Sequence, residues 1–110
     1  MASTFKNSVS SGVGITQTNV YTVPAGTTST VIGLTLSNTT STDVTCNVVV
    51  TDTSATTDVF IVKGATVPVG GALVPIGGEQ KIVLEATDVL KVTSSDAASL
   101  DVIVSILEQS

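Results

Sequence analysis

Apolar and polar residues alternate with a period of two along most of this chain, the spacing of a β-strand with one buried face. The clearest case is residues 43–51, where Val44, Cys46, Val48 and Val50 point one way and Thr45 and Asn47 the other. Residues 28–36 repeat the pattern with Thr30, Ile32, Leu34 and Leu36, and residues 100–108 with Leu100, Val102, Val104 and Ile106. Shorter strands are predicted over 19–23, 58–63, 79–85 (Ile82 and Leu84 inward) and 88–93 (Leu90 and Val92 inward). Pro24-Ala-Gly26, the polar stretches 37–43 and 51–57, Gly64 and Ala86-Thr-Asp88 punctuate them as turns, because Pro presets φ and Gly supplies a positive one. Residues 67–78 are apolar but carry two Pro and four Gly, so they predict at most an edge segment with bends. The sum is an all-β, single-domain antiparallel β-sandwich of seven or eight strands, its topology open between a jelly roll and another Greek key.

Two regions break the pattern. Residues 1–14 are rich in Ser and Gly without an apolar period, which predicts a flexible N-terminal arm ahead of a sandwich domain over 15–110. The last strand is apolar on its second face too, through Ile103 and Leu107. A strand apolar on both faces lies under a loop of its own chain or against another chain. Phe5 and Val9 in the arm, with Ile103 and Leu107, are therefore the candidate interface residues.

Composition sharpens this picture. Nineteen Val and nineteen Thr are matched by four Lys, no Arg, no His and no Trp; Val and Thr are stiff at χ1 and suit a pleated, half-buried surface. Charged residues make up 12 %, about half the ~25 % of an average domain, so apolar area is left on the surface and points to a partner or an oligomer. The net charge of −5 and the scattering of Lys6, Lys63, Lys81 and Lys91 exclude the basic stripe that nucleic-acid binding needs. No apolar run approaches the ~20 residues of a membrane helix. The opening residues lack the apolar core of a signal peptide, which predicts a protein made in the cytosol and either kept there or assembled from there. The lone Cys46, in its alternating apolar series, reads as a buried small hydrophobe.

No catalytic constellation is visible. Ser and Thr are abundant, but there is no His to serve as a base and no Ser-x-x-Lys spacing. Metal ligands would have to be carboxylates alone, and Asp43, Asp52, Asp58, Asp88, Asp96 and Asp101 are scattered along the sequence without the spacing of a calcium loop. Glu85 and Asp88 read as a solvated turn, Gly70-Gly71 and Gly77-Gly78 as turn residues, and Asn38-Thr-Thr40 as a chance match to a glycosylation acceptor. No catalytic residue, cofactor or metal is predicted.

Three segments carry a resemblance. Val20-Tyr-Thr-Val-Pro-Ala-Gly-Thr-Thr-Ser-Thr-Val-Ile-Gly-Leu-Thr-Leu-Ser-Asn38 resembles the opening of small virion structural proteins of tailed bacteriophages. Val67-Pro-Val-Gly-Gly followed by Gly78-Glu-Gln-Lys-Ile-Val-Leu-Glu-Ala-Thr-Asp-Val-Leu-Lys-Val92 is similar to a later part of them, and Leu100-Asp-Val-Ile-Val-Ser-Ile-Leu-Glu108 to their C-terminal strand. The resemblance implies a β-sandwich in the virion, made in the host cytoplasm: a capsid decoration (cement) protein bound to the major capsid protein, or a neck, tail or fibre accessory involved in host adsorption. It implies a homo-oligomer, with a trimer at a capsid threefold as the first expectation. It carries no catalytic residues.

Overall fold

The protein is described here by a computed structural model covering residues 3–77 and 80–110. Nine strands follow one another without a helix among the described residues: β1 (Ser3–Val13), β2 (Thr18–Thr22), β3 (Thr28–Asn38), β4 (Val44–Asp52), β5 (Thr57–Val67), β6 (Ala72–Ile76), β7 (Ile82–Leu84), β8 (Val89–Ser94) and β9 (Leu100–Gln109). They form two antiparallel sheets. A five-stranded sheet runs β1-β9-β3-β6, with β7 paired to β3 beyond the end of β6; a four-stranded sheet runs β2-β8-β4-β5. Counting β6 and β7 as one interrupted position, this order is that of a jelly roll, in which successive strands other than the β4–β5 hairpin cross between the sheets and the last strand returns beside the first. The topology left open by the sequence is thereby assigned. The strand count rises to nine because the arm is itself a strand.

Alternation builds the core as expected. Leu100, Val102, Val104 and Ile106 of β9 face Val44, Cys46 and Val48 of β4 and Leu90 and Val92 of β8, all almost fully buried. Each such side chain contributes roughly 1.5–3 kcal/mol relative to exposure. Burial also pushes the Cys46 thiol pKa up. Turn chemistry matches the punctuation: Thr27 N–H donates to Pro24 O at 3.2 Å around Gly26, whose φ is +76°.

Three departures are instructive. Residues 3–13 are no flexible arm but β1, laddered to β9 from Ser3 opposite Gln109 to Ser10 opposite Val102. Their inward row is Thr4, Lys6, Ser8 and Ser10, so no apolar period marks the strand. Polar contacts fix it instead: Ser8 Oγ donates to Val20 O at 2.6 Å, and Lys6 Nζ lies 3.6 Å from Glu108 Oε2. Met1 and Ala2 lie outside the described residues. In β3 a bulge at Ile32 shifts the alternation, so Ser29 and Val31 are buried ahead of Leu34 and Leu36, in place of Thr30 and Ile32. The strand expected over 79–85 is a ladder only over Ile82–Leu84, and its expected start at Glu79 lies outside the described residues.

Candidate interaction surface

The outward positions of the five-stranded sheet bring all four candidate interface residues together. Phe5 pairs with Leu107 and Val9 with Ile103 across the β1–β9 ladder. Through β3 the rows extend further: Leu107 is opposite Thr30, which is opposite Val83 of β7, and Ile103 is opposite Thr35, flanked by Val74 of β6. Two apolar rows thus cross the sheet, separated by a low row of Asn7, Ser105 and Gly33. Phe5 is 75 % exposed, Val9 67 %, Val83 63 %, Val74 58 % and Ile103 43 %; Leu107 is half-buried.

This face is nearly free of charge. Along the outward positions of β1, β9, β3, β6 and β7 the one ionisable side chain is Asp101 at the rim, which accepts from Ser11 Oγ and Gly12 N–H, both at 3.0 Å. Gly12 holds φ +68°, the left-handed conformation that ends the straight ladder. Beside Val9, Ile103, Ser37 and Asp101 the surface dips into an open concavity of about 260 Å³. Val74 and Val83 escaped the sequence reading, because only the register places them in these rows.

The rim of the other end holds carboxylates that the sequence scatters. Asp52, Glu85 and Asp88 present oxygens within 4.8 Å of one another, beside a cleft of about 400 Å³ lined by Val50, Val59, Ile61, Ile82 and Leu84. Asp88 is no solvated turn residue but 4 % exposed. Its Oδ1 accepts from Thr53 N–H at 3.2 Å and its Oδ2 from Glu85 N–H at 2.9 Å, tying the β4–β5 turn to the β7–β8 turn. Asp52 Oδ1 accepts from Ser54 Oγ at 2.8 Å and from the Ser54 and Ala55 N–H groups. Those bonds, that from Ser54 Oγ first, hold its carboxyl below the usual range. An all-oxygen set suits a hard cation, but three of these oxygens already close turns.

A polar chain crosses between the sheets. Tyr21 Oη donates to Glu108 Oε2 at 2.5 Å and accepts from Ser29 Oγ at 2.6 Å. Burial first, and the Glu108 carboxylate next, push the Tyr21 pKa up to about 12. Asn38 is likewise structural: its Nδ2 donates to Thr42 O and Val67 O, and its Oδ1 accepts from Thr40.

No known protein family, curated protein or solved structure matches the chain.

Proposed function

We propose that this protein is a non-enzymatic structural component of a tailed-phage virion that binds the major capsid protein through the outer face of its five-stranded sheet and reinforces the head. The observation that carries the binding role is the pair of uncovered, charge-free apolar rows, Phe5–Leu107–Val83 and Val9–Ile103–Val74. Strands about 4.8 Å apart and some ten residues long make a face of roughly 600 Å² in projection, approaching the about 800 Å² per partner of a standard interface. The virion setting is supported by the three resembling sequence segments, and the Thr-rich, low-charge surface suits repetitive assembly.

Copy number in purified particles tests it, by quantitative mass spectrometry against the major capsid protein. Near-equal abundance is expected. A handful of copies moves the protein to the neck, tail or fibres, and absence from the particle overturns the virion reading. Within the particle reading, Ile103→Asp is expected to weaken capsid binding by at least about 30-fold, the ~2 kcal/mol of an interface hot spot. Unchanged binding would acquit this face.

A further inference from the structure

The sheets leave five strand edges without a partner among the described residues, and four carry a feature that discourages pairing with another chain. β2 has five residues and an interrupted register against β8. β5 is kinked by two register shifts against β4 and by Gly64 at φ +67°. β6 contains Pro75 and a register shift, and β7 has three residues. β1 is different. It runs in unbroken register with β9 from Ser3 to Ser10, has no Pro, and its one charge, Lys6, the feature that would guard this edge, is held 3.6 Å from Glu108 of its own sheet. A long straight edge of this kind is a template for a further strand.

The sequence of β1 says which strand. Phe5 and Val9 stand symmetrically about Asn7. We infer that β1 pairs antiparallel with β1 of a second copy about a two-fold axis through Asn7. In that register Phe5 faces the second copy's Val9 and Val9 its Phe5, so both apolar pairs form at once. Lys6 falls opposite Ser8, avoiding a like charge directly across the ladder. An axis at Lys6 would set the two lysines against each other. An axis at Ser8 would oppose Phe5 to Ser11, and one at Val9 would oppose it to Val13, which is buried. With the axis at Asn7 both outer faces lie on one side of the joined sheet. The rows then run unbroken, Val83–Thr30–Leu107–Phe5 of one copy into Val9–Ile103–Thr35–Val74 of the next, each copy offering the same self-complementary edge. The product is a dimer, in place of the trimer expected from the sequence, and it does not depend on what the outer face binds.

The full chain is tested by sedimentation equilibrium and by cysteine cross-linking under mild oxidation. The expected results are a mass of two copies, rapid self-cross-linking of Asn7→Cys, none of Phe5→Cys alone, and cross-linking when Phe5→Cys and Val9→Cys are mixed. Asn7→Asp, which places two like charges on the axis, is expected to raise the dissociation constant at least tenfold. Asn7 is exposed, and circular dichroism with a thermal transition equal to the parent's confirms that each variant folds. A mass of one copy at every concentration, a mass of three, or Asn7→Cys linking no faster than Phe5→Cys would overturn the inference.

Discussion

The two sheets bury similar inner faces but treat their outer faces in opposite ways. On the four-stranded sheet the outward-pointing Val49 is 3 % exposed, because its ladder neighbours are Phe60 on one side and Lys91 on the other. Lys63 Nζ in turn sits 5.2 Å from the centroid of the Phe60 ring. Aliphatic stems and an aromatic ring thus roof an apolar residue and leave charge in the solvent. On the five-stranded sheet Val9 and Ile103 pair with each other and are otherwise flanked mostly by short side chains, Asn7, Ser11, Asp101, Ser105 and Thr35, so they have no such roof. The four-stranded sheet thus covers Val49 beneath Phe60, which is itself 48 % exposed, whereas the five-stranded sheet leaves Val9 and Ile103 uncovered. The proposed capsid contact uses that uncovered side.

This contrast can be broken from the inside first. Ile106→Asp and Ile103→Asp lie three residues apart on β9 and therefore on opposite faces of it. The inner substitution buries an unpaired carboxylate and is expected to cost more than about 4 kcal/mol, leaving little folded protein in urea titrations. The outer one is expected to change folding stability by no more than about 0.5 kcal/mol. Similar losses at both positions would mean that the outer face is structural.

The polar chain linking the sheets gives the next effect. Below about pH 10 Tyr21 is protonated in both folded and unfolded states, and its contribution is complete. Above that the unfolded chain loses the proton first, so stability falls by about 1.4 kcal/mol per pH unit until the folded pKa near 12, a loss of about 2–3 kcal/mol. Tyr21→Phe is expected to flatten this alkaline slope in denaturation curves measured from pH 9 to 12. An unchanged slope would show that other groups set it.

Smaller differences sharpen the comparison of the roofs. Val49→Ala is expected to cost about 1–2 kcal/mol and Val9→Ala less than about 0.5, because only the first empties a packed site. Lys63→Ala, removing a surface cation–π contact, is expected to cost about 0.5 kcal/mol. These differences are readable as shifts in urea midpoint at constant slope.

How much of this was visible in the residues follows from what alternation can encode. β4, β8 and β9 were legible because their inward rows are apolar and their outward rows are not. β1 was hidden because it lies at a margin where its inward row is polar, with Lys6 and Ser8 bonded to neighbouring groups instead of filling a core. The Ile32 bulge was hidden because one extra residue leaves composition unchanged while reversing which side chains point in. Ile103 and Leu107 were legible as a second apolar row, and Phe5 and Val9 as apolar residues in a polar stretch. Val74, Val83 and the meeting of Asp52 with Glu85 and Asp88 depend on the pairing of distant segments, which no local pattern carries.

The central position of β9 has a consequence for how the molecule is made. β9 lies between β1 and β3, yet it is the last of the nine strands to leave the ribosome. Until it does, β1 has no ladder and β3 lacks one of its two sides, so the five-stranded sheet cannot close during synthesis of the first eight strands. Such long-range pairing is slow to form, and on a polysome the waiting β1 of one nascent chain is exposed to the strands of its neighbours. Closure of the sheet is thus timed by the arrival of a single strand, after the other eight have been made.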